Sequence, residues 1–194
     1  LLKQLLMHSH PMPIKSQSFN LHELLDTVLS FERSSHPGLR FTAYYDASLP
    51  DIEADRDKLH QVFLNLVRNA SEACPADGRV RVLTRHCAHW ELAGTNLDPT
   101  RRYILVSIED EGPGIPEELR KNIFKPLFST KKQGTGLGLS ISFRLVESHG
   151  GQLRYQPSER SGACFQVILP ESQSESLDEN SPNFVYQDLR KEIS

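Results

Sequence analysis

Two glycine-rich stretches in this chain contain the residue types that approach phosphate closely. The first reads Asp110-Glu-Gly-Pro-Gly-Ile-Pro116, and the second reads Gly134-Thr-Gly-Leu-Gly-Leu139. An earlier segment, Asn65-Leu-Val-Arg-Asn69, places two asparagines four residues apart. A single Gly-x-Gly is weak evidence, because it usually marks a tight turn. The ordered set of three motifs predicts a nucleotide-binding site.

Asp110 is the candidate for recognising adenine. It follows the run Ile104-Leu-Val-Ser-Ile-Glu109 and precedes a glycine turn, so we expect its carboxylate at a strand end, where it can accept a hydrogen bond from the adenine amino group. Gly112 and Gly114 would let the backbone approach the base or the sugar closely. An ordinary Asp-Gly turn after a strand is the alternative, and the accompanying motifs favour recognition.

The second glycine stretch runs directly into a predicted helix over 137–148. A glycine loop at a helix N-terminus presents unpaired amides and the positive end of the helix dipole to phosphate. The pattern is not a P-loop, because no Gly-Lys-Ser/Thr follows, and it lacks the acidic residue of a dinucleotide fingerprint. The predicted phosphate contacts are Lys131, Lys132, Gly134, Thr135, Gly136, Leu137 and Gly138.

Asn65 and Asn69 are the candidates for holding magnesium. Their spacing puts both side chains on one side of a helix, and amide oxygens suit a Mg²⁺ ion that keeps most of its ligands from water and phosphate. Helical asparagines are more often caps or surface residues. Both lie mid-helix, where asparagine has poor propensity, which favours a functional reason for them.

Hydrophobic periodicity predicts the elements that position these motifs. Asn20 and Asp55 are predicted N-caps of two helices, and Leu59, Val62 and Phe63 recur at helical spacing in the second. The other expected elements are strands over 39–45, 79–85, 103–109, 152–155 and 163–169, a long hairpin tip over 86–102, and a short helical or irregular stretch over 115–124.

Composition excludes several classes of protein. The chain has 194 residues with 38% hydrophobic residues and a net charge of −3, which fits a globular domain without the basic surface that nucleic acid requires. Three scattered cysteines predict no disulfide framework and a reducing, cytoplasmic compartment. No apolar run reaches the length of a membrane span.

In their order and spacing these motifs resemble the catalytic ATP-binding domain of sensor histidine kinases. The resemblance covers about residues 18–170. The four sequence boxes of that family match at Asn65 and Asn69, at Asp110, Gly112 and Gly114, at Phe124-Lys-Pro-Leu-Phe128, and at Gly134, Gly136 and Gly138.

The resemblance implies an α+β fold of the Bergerat (GHKL) type. This fold is a two-layer α/β sandwich, in which a mixed, mainly antiparallel sheet is covered on one face by helices and a mobile lid between Phe124 and Gly134 folds over ATP. It also implies a protein histidine kinase that uses ATP and Mg²⁺. Asn65 and Asn69 would hold the metal and take part in catalysis, and Asn69, Asp110 and the two glycine boxes would bind the nucleotide.

Within that family the chain is similar to the nitrogen-regulation sensor kinases. The similarity lies in Tyr45-Asp-Ala-Ser-Leu-Pro50, in Gln61-Val-Phe-Leu-Asn-Leu-Val-Arg-Asn-Ala70 and in the long tip between two strands. The implied partners are a histidine on the dimerisation helices of a parent protein and the receiver domain of a response regulator.

Two positions bear on the activity. Many family members place a lysine three residues after the second asparagine, whereas this chain has Glu72, so phosphate charge must be met by Arg68, Lys131 or Lys132. Asn65 stands where the ATP-hydrolysing relatives of this fold carry a glutamate that activates water. An amide cannot act as a general base, which favours phosphoryl transfer over hydrolysis.

Three alternatives stay open. A chaperone-like or repair-like ATPase of the same fold would require a base, and a nucleotide-binding pseudo-kinase that serves as an interaction module would be consistent with Glu72. His86-Cys-Ala-His89 contains zinc-ligand types, although no second ligand pair has suitable spacing.

We predict three segments in the chain. Residues 1–12 would be the end of a dimerisation helix and a linker, 13–170 the catalytic domain, and 171–194 a disordered tail. Neither His8 nor His10 resembles the phospho-acceptor, because no acidic residue follows and Pro11 interrupts the helix. We therefore expect ATP binding without self-phosphorylation, a monomeric fragment and a homodimeric parent.

Overall fold

The computed structural model describes residues 13–131, 134–158 and 162–172. The predictions for residues 1–12, for Lys132 and for nearly all of the tail over 171–194 therefore lie outside the described residues.

Within the described ranges, four helices carry or support the motifs. Asn20 caps the first by accepting hydrogen bonds from the amides of His22 and Glu23, and Asp55 caps the second by accepting one from the amide of Lys58. Both predicted caps are confirmed. The helices are α1 (Leu21–Ser35), α2 (Arg56–Ala73), α3 (Glu117–Arg120) and α4 (Gly138–Ser148), with a further 3₁₀ turn at His89–Leu92.

In the described residues, seven strands form two sheets. They are β1 (Gln17–Phe19), β2 (Arg40–Tyr45), β3 (Ile52–Ala54), β4 (Arg79–His86), β5 (Tyr103–Asp110), β6 (Gln152–Pro157) and β7 (Ala163–Pro170). The main sheet has the order β2-β4-β5-β7-β6, in which β2 and β4 run parallel and the other pairs run antiparallel. A separate antiparallel pair of β1 and β3 was not predicted.

The main hydrophobic core lies between one face of this sheet and α1, α2 and α4. Phe63 of α2 is fully buried there, together with Ile104, Val106 and Ile108 of β5. The sandwich of a mixed, mainly antiparallel sheet with helices on one face confirms the predicted α+β fold class. In the part of the chain described, no helix combines the length and apolarity needed to cross a membrane.

The predicted hairpin tip folds back onto the opposite face of the sheet. Its Leu92 packs with Tyr103, Leu105 and Ile168 in a second, smaller core. Glu91 accepts two hydrogen bonds from Arg85 of β4, at 2.6 and 2.8 Å. The tip is therefore an ordered covering layer for part of that face.

Candidate nucleotide-binding site

A cavity of about 530 Å³ opens between α2 and the loop that leads into α4. The Asn motif and the second glycine stretch, which are far apart in the sequence, both line it. Its lining includes Asn65, Arg68, Asn69, Glu72, Phe128, Lys131, Gly134, Thr135, Gly136, Gly138, Ala163 and Phe165.

Asn65 is fixed in orientation at the contact between α2 and α4. Its Nδ2 donates a hydrogen bond of 2.9 Å to Oγ of Ser142, a residue only 1% exposed. A Cβ atom at Gly138 would lie 2.3 Å from Asn65 Oδ1, so only glycine at that position leaves the amide in place. The amide oxygen consequently lies at the first turn of α4.

Asn69 lies one helical turn further along α2, and its Oδ1 faces a cation. Lys131 Nζ donates to this oxygen at 3.1 Å, and it also forms an ion pair with Glu72. Lys131 and Glu72 are each a little under half exposed. Glu72 and Lys131, which both line the cavity, are thus paired with each other.

Asp110 ends β5 and is only 2% exposed. Its Oδ1 accepts hydrogen bonds from the amides of Gly112 (2.9 Å) and Ala163 (3.1 Å). Burial raises the pKa of the Asp110 carboxyl, and these two N–H groups partly offset the shift because they favour the charged form. Asp110 does not itself line the cavity, but its hydrogen-bond partner Ala163 does.

The first glycine stretch packs against backbone. A Cβ atom at Gly112 would lie 2.6 Å from the carbonyl oxygen of Ala73. Gly114 has a φ of +71° and faces the carbonyl of Gly162. Both glycines are therefore required by close backbone approach next to Asp110.

The second glycine stretch curves around the start of α4. Gly136 has a φ of +65°, and a Cβ atom there would lie 2.4 Å from the carbonyl carbon of Leu127. Thr135 lines the cavity, and its Oγ1 accepts a hydrogen bond from the amide of Leu137 at 3.4 Å. The Leu137 side chain is buried at 3% exposure, and Leu137 does not line the cavity.

The structure adds an apolar wall that the sequence did not single out. Ile115, Leu119, Ile123 and Leu139 line the cavity beside Phe128 and Phe165. Phe124 lies behind this wall, with its ring centroid 5.2 Å from that of Phe143. The run of apolar residues over 115–124 at near-helical spacing was the available signal.

The candidate zinc residues of the tip do not form a metal site. Across the described ranges, no three His, Cys, Asp or Glu side chains are grouped so that they could hold a metal ion. His86 instead makes a 2.6 Å hydrogen bond to Glu171 through Nδ1.

A sequence model of the histidine kinase-, DNA gyrase B- and HSP90-like ATPase family matches residues 54–173. The sensory histidine kinase/phosphatase NtrB of Azospirillum brasilense is 36% identical over 173 residues, which are 88% of this chain and 43% of that protein. The signal transduction histidine-protein kinase AtoS of Escherichia coli is 36% identical over 171 residues, which are 87% of this chain and 26% of that protein. This chain thus spans less than half the length of these relatives.

Solved structures agree with these sequence matches. The catalytic domain of histidine kinase ThkA superposes with a TM-score of 0.69 at 32% identity, covering 81% of this chain and 96% of that one. ThkA in a complex with the response regulator protein TrrA matches with a TM-score of 0.68 at 31% identity, covering 88% of this chain and 46% of that one.

Proposed function

This chain belongs to the family of histidine kinase-, DNA gyrase B- and HSP90-like ATPases, as a catalytic domain of the histidine kinase type, and from that premise we propose that it binds ATP with Mg²⁺ for phosphoryl transfer. The acceptor would be a histidine on a dimerisation helix of the parent protein. The phosphoryl group would then pass to an aspartate in the receiver domain of a response regulator.

The convergence of two distant motifs on one cavity carries this proposal. Asn65 and Asn69 from α2 and the glycine loop before α4 line the same 530 Å³ space. Asp110 is joined to the lining by the hydrogen bond that it accepts from the amide of Ala163. The arrangement supports separate regions for a base, a phosphate chain and a metal ion.

The donor set fits ATP and Mg²⁺. Asn69 Oδ1 already accepts a hydrogen bond from an ammonium group, so its oxygen is directed toward positive charge. Gly136 and Gly138 leave no room for side chains where a phosphate chain would pass. We propose that Asn65 and Asn69 hold Mg²⁺, with Lys131 and the loop Gly134–Gly138 at the phosphates.

The residues of this chain would act by positioning and by neutralising charge. Two N–H groups fix Asp110 Oδ1, so Oδ2 is the oxygen proposed to accept the adenine amino group. Bound ATP would supply the phosphoryl group, and a bound Mg²⁺ would neutralise part of its charge. Asn65 offers an amide and no general base, so orientation toward an acceptor histidine, rather than activation of water, is the proposed contribution.

The similar proteins support more specific proposals about the parent protein. Among the matched proteins are several called sensory histidine kinase/phosphatase NtrB, which supports a nitrogen-regulation role for the parent. We propose a homodimeric, cytoplasmic parent in which residues 13–170 form the catalytic domain. The ion pair of Glu72 with Lys131 favours one rival, a pseudo-kinase in which the pair keeps the cavity from phosphate.

The test is calorimetric titration of this chain with a non-hydrolysable ATP analogue, with and without Mg²⁺. We expect binding that depends on Mg²⁺. If no heat of binding appears at millimolar analogue, the proposed kinase function is wrong and the pseudo-kinase interaction module is favoured. Steady ATP hydrolysis that disappears in Asn65→Ala would support the ATPase alternative instead.

Replacing Glu72 with glutamine is expected to tighten binding of the Mg²⁺-loaded analogue about threefold. The substitution frees Lys131 from a half-exposed ion pair, which is worth less than about 1 kcal/mol, and removes a negative charge beside the phosphates. Titration of both proteins at one ionic strength measures the change.

The control for this prediction is Glu53→Gln, which removes the same charge from an exposed position on β3 and is expected to leave the affinity unchanged. Weaker binding by Glu72→Gln would contradict the prediction and assign Glu72 to the metal.

A further inference from the structure

A carboxylate is buried between α1 and the wall of the cavity. Glu32 of α1 is 0% exposed. Its Oε1 accepts a hydrogen bond of 3.2 Å from Nε of Arg68 on α2. Its Oε2 lies 3.2 Å from Nδ1 of His36 but accepts no hydrogen bond from the described residues. Burying a carboxylate with incomplete partners is costly. The hydrogen bond from Arg68 indicates a functional reason for this cost.

Glu32 binds Arg68, an arginine that lines the cavity. Arg68 directly precedes Asn69 and lies one helical turn before Glu72. Its side chain is 46% exposed. Nε is used by Glu32, and the two terminal amines make no hydrogen bond to any residue that the structure describes. A guanidinium anchored at Nε with free terminal amines can bind an anion in a fixed orientation.

The charge at position 72 makes this cation necessary. The proposed nucleotide would bring several negative charges into a cavity that the carboxylate of Glu72 already lines. Lys131, the other described cation of the lining, is partly neutralised by Glu72. Arg68 is paired by a buried carboxylate that lies outside the cavity lining.

We propose that Arg68 binds a phosphate group of the nucleotide through its terminal amines and that Glu32 is the positioning residue that holds it there. This inference rests on the proposed ATP site. Glu32 acts through geometry, by removing the rotamer freedom of a long side chain before the nucleotide arrives.

An acidic side chain of a dimerisation helix is the competing occupant for the same amines. A phosphate partner predicts a defect in binding by the isolated chain, where that helix is not supplied. An acidic helix partner predicts normal nucleotide affinity and a defect only in transfer to helices that are added separately.

The experiment uses Arg68→Met, Glu32→Met, Glu32→Gln and the double variant Glu32→Met/Arg68→Met. Arg68→Met is expected to weaken binding of the ATP analogue about tenfold, since a charge-assisted hydrogen bond is lost. Adenosine, which has no phosphate, should compete equally well for all variants. Titration calorimetry and competition give both affinities.

The two substitutions at Glu32 separate positioning from charge. Glu32→Gln retains an acceptor for Arg68 Nε and should bind the analogue nearly as the parent does. Glu32→Met has no acceptor and should lose about threefold to tenfold through the freed arginine. In the Arg68→Met background the same change should have no further effect on affinity, because the residue it positions is gone.

The set of variants includes controls for folding stability. Arg68→Met leaves a buried carboxylate with one partner fewer and is expected to destabilise the fold, whereas the double variant replaces the ion pair by apolar groups and keeps the test possible. Arg33→Met is the matched control, because Arg33 neighbours Glu32 but donates to the carbonyl of Phe41. Its affinity should equal that of the parent.

Three results would overturn the inference. They are an unchanged analogue affinity in the double variant, an equal loss of adenosine affinity, or a defect confined to transfer onto added dimerisation helices. Failure of the parent itself to bind the analogue would be distinguishable from these, because it removes the proposed nucleotide site and not only the role of Arg68.

Discussion

Replacing Asp110 with asparagine is expected to weaken binding of the ATP analogue about 100-fold, because a buried acceptor becomes a buried donor. Asp110 is 2% exposed, and its Oδ1 is already committed to the amides of Gly112 and Ala163. An asparagine would keep its oxygen on those amides and turn its NH₂ group toward the adenine amino group. Two donors would then face each other.

The same geometry predicts that the fold tolerates the change. Both backbone hydrogen bonds can be retained by the asparagine oxygen, and the substitution removes the cost of burying a charge. We expect the thermal midpoint of Asp110→Asn to equal or exceed that of the parent. Calorimetric titration together with a thermal scan separates a binding defect from unfolding.

Glu109→Gln is the matched control for this prediction. Glu109 is the adjacent residue of β5, and it pairs with Arg81 at 3.0 Å on the opposite side of the strand. It should bind the analogue as the parent does. Equal affinity of Asp110→Asn and the parent would remove Asp110 from base recognition and would leave its burial without a functional reason.

The parts of the site that follow local rules could be predicted from the sequence. Asn65 and Asn69 lie four residues apart beside the apolar stripe of α2, so their common face was determined by the geometry of that helix. The glycine loop before α4 was recognisable because glycine spacing and the following helix are adjacent in the chain. The caps at Asn20 and Asp55 depended only on neighbouring residues.

Long-range contacts could not be predicted in this way. The pairing of β1 with β3 involves three residues in each strand, too few for a period to be visible. The tip over 86–102 was expected as a loop, but Leu92 gains burial only from strands that are distant in sequence. The contacts of Arg68 with Glu32 and of Lys131 with Glu72 likewise depend on how helices and loops pack.

Asn69→Ala is expected to lower phosphoryl transfer to separately supplied dimerisation helices about 100-fold, the scale on which removing one preorganised polar group reduces a rate. Asn69 Oδ1 is the amide oxygen that faces positive charge in this structure, where it meets Lys131 Nζ at 3.1 Å. Its loss should also remove the dependence of analogue binding on Mg²⁺. Transfer of labelled phosphate and titration with and without Mg²⁺ measure the two effects.

Helix propensity predicts that Asn69→Ala does not destabilise α2. Alanine is a better helix former than asparagine by roughly 0.5 kcal/mol, and Asn69 lies in the interior of α2, so α2 should be at least as stable in the variant. The effect of Asn65→Ala on activity would be harder to separate from an effect on folding, because this substitution leaves the buried hydroxyl of Ser142 without its 2.9 Å donor. Loss of activity in Asn69→Ala therefore cannot be attributed to unfolding.

Asn96→Ala is the control, since Asn96 is exposed in the hairpin tip, which packs on the other face of the sheet. Its transfer rate and its response to Mg²⁺ should match those of the parent. If Asn69→Ala kept the full Mg²⁺ dependence, the metal would have to be held by Asn65 and the phosphates alone. The contact between Asn69 and Lys131 would then serve only to hold that lysine beside Glu72.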